Sequence, residues 1–167
     1  MTDGVFAYER SDLTGMGTAQ PIAVVAVGEK GELGNYLMCA ILERVPHLCS
    51  SIIFWSVNAR SRFLGIEING GAKKEALMEK LETHVKEARK RNLGAAFYYA
   101  EGRDEPRTAE SLCAAIAGDF PAATFYFLPE EGPGREERES QKLRQRLDAR
   151  GLTTAVLPLT LADFASA

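Results

Sequence analysis

Five continuous apolar runs recur along the chain, and they predict the strands of a sheet. Their residues are consecutive rather than alternating with polar ones, which is typical of parallel strands that are covered on both faces. Segments rich in charge, glycine or proline separate each run from the next. The runs are Ile22 to Val27, Ser51 to Val57, Ala95 to Ala100, Ala123 to Leu128 and Thr153 to Leu157.

A long amphipathic helix is predicted between the second and third runs, over residues 73–92. Leu77, Leu81, Val85 and Ala88 recur at spacings of three or four residues, so one face of this helix is apolar. Glutamate and lysine side chains fill the opposite face, and the basic last turn suits the helix dipole.

Three further helices are predicted in the remaining gaps. Residues 33–45 are apolar nearly all round, which indicates a deeply buried helix or a helix at a subunit contact. Residues 108–120 are expected to form a helix with Thr108 as its N-cap. Residues 135–151 form a mostly charged helix on one edge of the molecule, with Gly151 as its C-cap.

The alternation of strand and helix predicts an α/β fold with a doubly wound, mostly parallel five-stranded sheet and helices on both faces. Residues 62–70 are an extra element, interpreted as a short exposed strand at a sheet edge or a dimer contact. Residues 1–20 lack periodicity and are expected to form a flexible arm or linker. The α/β domain is expected over residues 21–160, followed by a C-terminal tail at residues 161–167.

Composition and charge remove several classes of partner. The 167 residues are 46% hydrophobic and 26% charged, which is ordinary for one globular domain, and the net charge is -3. A chain with a negative net charge has no overall electrostatic attraction to nucleic acid or to anionic lipid, so neither partner is expected. Cys39, Cys49 and Cys113 show no CxxC spacing and are interpreted as free thiols in a reducing compartment, the cytoplasm.

A glycine-spaced turn follows the first apolar run and is a candidate ligand loop, because ligands of such sheets bind beyond the carboxyl ends of the strands. Its glycines are Gly28, Gly31 and Gly34, which do not give the G-x-G-x-x-G of dinucleotide-binding turns. Lys30 precedes Gly31 and is followed by Glu32, so the Gly-Lys-Ser/Thr end of a Walker loop is missing as well. Two interpretations stay open: a corner that needs glycine's backbone freedom, or a loop that binds a ligand.

Basic residues gather in the loops "NARSR", "EGRDEPR" and "PEEGPGR" at the same predicted edge of the sheet. They could hold a small anion, with Gly28, Lys30, Gly31, Arg103 and Arg135 as the candidate ligand-binding residues. Acidic side chains also stand in these loops, so ion pairing among surface residues is the alternative interpretation. The basic residues at this edge are Lys30, Arg60, Arg62, Arg103, Arg107 and Arg135.

No catalytic or metal-binding motif is found in the sequence. HExxH, G-x-S-x-G and cysteine–histidine clusters are missing, so no catalytic residue and no metal ligand is assigned. His84 lies beside Val85 on the amphipathic helix and is interpreted as a packed or surface residue. Cys113 has alanine neighbours in its helix and is interpreted as a core residue.

The order of these elements resembles the universal stress protein superfamily. The stretches that carry the resemblance span residues 21–159 and include "RKRNLGAAFYYAEG", "AATFYFLPEEG" and the charged helix before "LTTAVLPL". The chain is similar in particular to the stress-protein-like cytosolic domain of prokaryotic cation-chloride cotransporters and related amino-acid permeases. This resemblance implies a Rossmann-like fold and a protein that either binds ATP or serves in dimerisation and regulation.

ATP-binding members of that superfamily carry an acidic residue just after strand one and G-x2-G-x9-G-[ST] after strand four. In this sequence Gly28 and Glu29 follow strand one, and Gly132, Pro133 and Gly134 precede "REERES", which does not give that spacing. The resemblance therefore implies the form that does not bind ATP.

Two hypotheses follow from the sequence. The leading one is a non-catalytic regulatory or dimerisation domain without a cofactor, which forms a homodimer and in its narrower form is the cytosolic part of a membrane transporter. The dimer contact would come from residues 33–45, from residues 62–70 or from the final strand. The alternative is a small-anion or adenine-nucleotide-binding protein, with ATP or AMP as ligand, that uses the loops at the carboxyl edge of the sheet.

Overall fold

Strands and helices alternate along the part of the chain that the structure, a computed structural model, describes. The described residues are 8–13, 16, 21–26, 41–45, 49–59, 61–63, 66–68, 70–102, 105–127 and 135–156. The strands are β1 (Tyr8–Arg10), β2 (Ile22–Ala26), β3 (Ser51–Ala59), β4 (Ser61–Phe63), β5 (Ile66–Ile68), β6 (Gly94–Gly102), β7 (Ala123–Phe127) and β8 (Thr153–Val156). The helices are α1, described over residues 41–44, α2 (Gly70–Lys90), α3 (Glu105–Asp119) and α4 (Arg135–Ala149). Within these ranges, no helix has the length and apolar character that crossing a membrane requires.

The main sheet has six strands in the order β1-β6-β3-β2-β7-β8. The last five in this order are parallel to one another, and β1 runs antiparallel to β6. The five predicted strands are confirmed, and each begins within one residue of its predicted start. Because β2 pairs with β3 on one side and with β7 on the other, the chain winds outward in both directions, as the doubly wound prediction requires.

Alternate residues of the parallel strands face two separate cores. One core lies against α1 and α2 and contains Phe54 from the sheet and Leu81 from α2. The other lies against α3 and α4 and contains Trp55, Leu112 and Leu147. The predicted apolar stripe of α2 is buried along its whole length. Since each buried leucine contributes roughly 1.5–3 kcal/mol, these two cores are the main source of stability.

Helices α2 and α4 end in the same way, with one residue in the left-handed region. Asn92 follows α2 with φ 64° and Gly151 follows α4 with φ 80°. In each case the amide of the next leucine donates to the carbonyl five residues earlier, at 3.2 Å after α2 and 3.0 Å after α4. This Schellman arrangement satisfies terminal carbonyls and directs the chain into β6 and β8. The prediction of Gly151 as a C-cap is confirmed.

Strand β1 corrects part of the expectation that residues 1–20 form a flexible arm. Arg10 Nη1 donates to Asp119 Oδ2 at 2.7 Å, and the Tyr98 hydroxyl donates to the same oxygen at 2.6 Å. The rings of Tyr8 and Tyr98 stack with their centres 5.8 Å apart. These partners lie about a hundred residues further along the chain, so a local pattern could not reveal them. The paired residues of the two strands are Tyr8 with Ala100, Glu9 with Tyr99 and Arg10 with Tyr98.

The interpretation of residues 62–70 as one exposed strand at a sheet edge is also corrected. The chain forms the hairpin of β4 and β5 there, a separate two-stranded antiparallel sheet in which Phe63 pairs with Ile66. The extra edge strand of the main sheet is β1 instead. The alternation of residue types in this segment correctly predicted an extended chain. It does not show where the chain turns back to form a hairpin.

Helix α3 begins three residues before its predicted N-cap. It starts at Glu105, so Thr108 lies inside the helix rather than at its boundary. Pro106 is compatible with this position, because an amide in the first turn has no partner within the helix. The Thr108 side chain is buried close to Gly102, the last residue of β6.

Replacing Gly102 by alanine is expected to destabilise the fold. The added methyl would lie 3.1 Å from Cβ and 3.2 Å from Cγ2 of Thr108, and nearer still to its hydroxyl. Since both carbon atoms of the Thr108 side chain already lie this close, the methyl group fits only if the helix or the strand shifts, and we expect Gly102→Ala to lower the free energy of unfolding by about 1–3 kcal/mol in urea titrations. Thr108→Ala should recover much of this loss in the double variant. Strictly additive effects of the two substitutions would contradict the contact.

Candidate functional site

The reversal of strand order places the ligand crevice typical of this fold between the carboxyl ends of β2 and β7. Gly28, Lys30 and Gly31 follow β2 in the sequence and lie outside the described residues, as does Arg103. Arg135 is the first residue of α4, and its side chain also lies outside the described part. The candidate ligand-binding set therefore stays a prediction.

The carboxyl ends of β3 and β6 carry a connected chain of polar side chains. Asn58 is fully buried, and its Nδ2 donates to the Tyr99 hydroxyl at 3.1 Å. The Tyr99 hydroxyl in turn donates to Glu101 Oε1 at 2.7 Å. Leaving one of these buried groups without its partner would cost about 1–3 kcal/mol. The network therefore fixes the half-buried Glu101 side chain near the edge of the sheet where ligands of this fold bind.

Lys74 of α2 extends this network across the sheet edge. Its Nζ lies 6.0 Å from the centre of the Tyr99 ring, at the outer limit of a cation–π contact. The same Nζ lies 3.0 Å from Glu9 Oε2 of β1. Tyr99 is thus contacted from α2 and from β3, and the neighbouring carboxylates and ammonium group can donate and accept hydrogen bonds at this corner.

Asn58 and Glu101, which the sequence predicts to lie in loops, both lie in strands. Strands β3 and β6 pair in register over nine residues each, as far as Ala59 and Gly102. The strands were predicted to end before Asn58 and before Glu101, because each of these polar residues follows an apolar stretch. The sequence does carry a sign that β3 continues, because polar and apolar residues alternate from position 56 onward. This alternation is expected of a strand whose two faces have different surroundings.

Of the side chains considered as a nucleophile or a base, Cys113 lies in a core and His84 is half-buried. Cys113 is fully buried, and burial raises its thiol pKa above the ordinary value, so its interpretation as a core residue is confirmed. His84 packs against Phe54 with the ring centres 5.4 Å apart. Burial, and to a lesser extent the charge of Lys80, lowers the pKa of His84. Its Nε2 is buried and has no hydrogen-bond partner in the described part of the chain.

Metal chemistry finds no support among the residues that the structure describes, since no group of three or more histidine, cysteine, aspartate or glutamate side chains there could hold a metal ion. Aromatic side chains of the central strands pack in the two cores. Tyr98, Tyr99 and Phe125 are almost fully buried.

The outer edge of β8 is the other surface of functional interest. Among the described strands, β8 pairs with β7 alone, and no described strand lies on its far side. Val156 on this strand is 45% exposed, which is high for a large apolar side chain. The strand itself is held firmly, because Arg144 Nε donates to Thr154 Oγ1 at 3.1 Å and Thr154 Oγ1 donates to Asp148 Oδ1 at 2.6 Å.

The fold matches that of the universal stress proteins. A crystal structure of a protein from the universal stress protein family from Burkholderia pseudomallei aligns with a TM-score of 0.52 and 14% sequence identity, over 86% of this chain and 99% of that one. No protein-family model matches the sequence, and no curated protein matches it. The likeness shows that this chain has a stress-protein-like α/β fold, as its sequence predicted. The narrower resemblance to transporter domains gains no support from it.

Protonation of His84 is expected to destabilise the protein. Because the pKa of His84 is lowered in the folded state, the unfolded chain takes up a proton first as the pH falls below about 6.5. The free energy of unfolding should therefore fall between about pH 7.5 and about pH 5, as measured by urea titration. The variant His84→Leu has an apolar side chain at this position that does not titrate, so its free energy of unfolding should fall less over that pH range than that of the wild-type chain. Equal losses in the two proteins would contradict this assignment.

Proposed function

We propose that this chain is a non-catalytic regulatory domain of the stress-protein type that acts as a homodimer joined through β8. The observation that carries the proposal is the outer edge of β8, which pairs with no other described strand and carries the exposed Val156. The stress-protein-like fold supports it, as does the burial of the Cys113 thiol in a core. A domain of this kind would act through the surface that it presents, which differs between the monomer and the dimer. It would not convert a substrate.

Two-fold symmetry suits this edge. In a closed dimer the same surface of each copy meets itself, so two β8 strands would run antiparallel and extend one sheet across both copies. Strand β8 has only four residues, whereas stable interfaces bury about 1,200 Å² or more in total. The apolar segment 33–45 and residues 62–70, both predicted as contacts, are the natural source of additional buried area.

The compartment that we propose is the cytoplasm. Cys49 and Cys113 are free and buried thiols, which suits a reducing environment. In the narrower form of the proposal, the domain lies on the cytosolic side of a cation-chloride cotransporter-like protein and regulates it through dimerisation. Hydrophobic helices encoded next to this chain, and co-purification with them, would support that form.

The dimer is expected to dissociate when a charge is placed on the β8 edge. We expect a dimeric mass for the wild-type chain by light scattering, and an at least tenfold weaker association for Val156→Asp, or about 1.4 kcal/mol. The variant Thr83→Asp is a matched control, because it adds the same charge at an exposed site on α2 and should stay dimeric. A monomeric wild-type chain at concentrations well above micromolar would contradict the proposal.

The second candidate function is binding of an adenine nucleotide or another small anion. The observation that favours it is the strand-order reversal at β2 and β7, with Gly28, Lys30 and Gly31 directly after β2 in the sequence. The positive end of the α4 helix dipole at Arg135 adds to the attraction for an anion.

On this second reading, ATP, AMP or inorganic phosphate should raise the melting temperature. A ligand at a hundred times its Kd stabilises the folded state by about 2.7 kcal/mol, which corresponds to a shift of several degrees. The double variant Arg103→Ala, Arg135→Ala should abolish the shift. The double variant Lys86→Ala, Arg91→Ala removes the same charge from α2 and its C-terminal end, and should retain it. No shift with any of the three anions in the wild-type chain would exclude this function at the concentrations used.

A further inference from the structure

Strand β6 has the character of a segment that pairs with copies of itself. Its central stretch, Ala95–Ala100, reads AAFYYA and is rich in aromatic residues, uncharged and without proline or glycine. Segments of six or seven residues with high β-propensity and no charge form strand-to-strand contacts between identical chains when their edge is open. An uncovered β6 edge is therefore a self-association hazard.

Strand β1 covers the middle of that edge. Its three residues pair with Tyr98, Tyr99 and Ala100, and the chain continues alongside β6, because the Ser11 amide donates to the Phe97 carbonyl at 3.0 Å. The Ser11 hydroxyl accepts a hydrogen bond from the Phe97 amide at 2.9 Å. In the described part of the chain, β1 is the only strand on this side of β6.

β1 also has the features by which natural edge strands avoid further pairing. It is short, all three of its residues are exposed, and two of them are charged. Glu9 is paired with Lys74 on one face of the sheet, and Arg10 with Asp119 on the other. Exposed ion pairs of this kind each contribute only about 0–1 kcal/mol, so β1 is held mainly by its backbone hydrogen bonds to β6 and by the Tyr8–Tyr98 stack, and substitutions that remove those backbone bonds would release it.

We infer that β1 is an edge guard, and that releasing it allows β6 to pair with β6 of a second copy of this chain. The occupant is a second copy because the uncovered strand is uncharged and rich in residues that favour pairing between identical segments. The guard confines ordered self-association to the other edge of the sheet, at β8.

The consequence for assembly depends on how many edges are open. Contacts at β8 and at β6 would each join a strand to its own copy, so a chain with both edges open would form open-ended assemblies rather than closed dimers. With β1 in place, growth stops after the β8 contact. This inference goes beyond the dimer proposed above, since a β6 contact would appear after release of β1 even if the wild-type chain were monomeric.

Hydrogen-bonded and non-hydrogen-bonded residue pairs alternate between β1 and β6, and this alternation shows which substitutions would release β1 and which would lock it in place. The bond from Ser11 to Phe97 makes that pair a hydrogen-bonded one, so Glu9 and Tyr99, two residues along, form the next such pair. Prolines at positions 9 and 11 would remove both amide donors that hold the guard. Tyr8 and Ala100 are then a pair without hydrogen bonds, whose Cα atoms lie about 4.5 Å apart, within the range that a disulfide spans.

The experiment compares one chain in two redox states. The full-length variant Tyr8→Cys, Ala100→Cys, Glu9→Pro, Ser11→Pro is oxidised to lock β1 on β6, or reduced to release it. Mass is followed by light scattering over a concentration series, beside the wild-type chain and the variant with the two cysteines alone. The native Cys49 and Cys113 are buried in the wild-type fold. Cys39 is replaced by serine in each of the variants, so that it cannot compete for the new disulfide.

We expect the reduced four-fold variant to have at least twice the mass of the wild-type chain at the same concentration, and oxidation to restore the wild-type mass. A reduced variant with the wild-type mass throughout would overturn the inference, as would association that oxidation does not reverse. The wild-type mass separately reports the β8 dimer. A monomeric wild-type chain with a dimeric reduced variant would contradict the proposed function and support the edge guard.

Discussion

The pairing of β3 with β6 over nine residues is the interaction on which the rest of the structure depends. Each strand is covered on both faces by apolar side chains, so its backbone groups have no access to water and must be paired within the sheet. This pairing extends past the apolar stretches as far as Asn58 and Glu101. Asn58 is buried as a result, and the Tyr99 hydroxyl is placed where it accepts a hydrogen bond from Asn58 Nδ2.

The two outer strands of the described sheet, β1 and β8, are held in different ways. On the β6 side, two neighbouring tyrosines point to opposite faces, and Tyr98 and Tyr99 each lie beside an ion pair that holds β1. On the β8 side, α4 holds the strand through Thr154, and no described strand pairs with its outer edge. Among the described residues, the sheet thus has one edge that β1 covers and one, at β8, where we propose that a second copy binds.

The sequence was sufficient to predict the parallel strands and helix α2, because doubly buried strands and a one-sided helix leave strong local patterns. It could not predict β1, since that strand is polar and three residues long, and its partners Asp119 and Tyr98 are distant in sequence. Asn58 was placed in a loop because a polar residue at a strand end resembles a loop residue until its partner strand is known. The candidate site at Gly28 to Gly31 has no known motif spacing, so the chemistry of its residues could be proposed but not fixed.

We propose that copies of this chain meet at β8 while β1 keeps β6 closed, and hydrogen exchange measured at two protein concentrations is the sharpest test of this arrangement. The account predicts that the backbone amides of Thr153–Val156 become more protected as the concentration rises through the dimer range. The amides of β1 and β6 should exchange at the same rates at both concentrations. Concentration-dependent protection in β1 or β6, or none in β8, would contradict it.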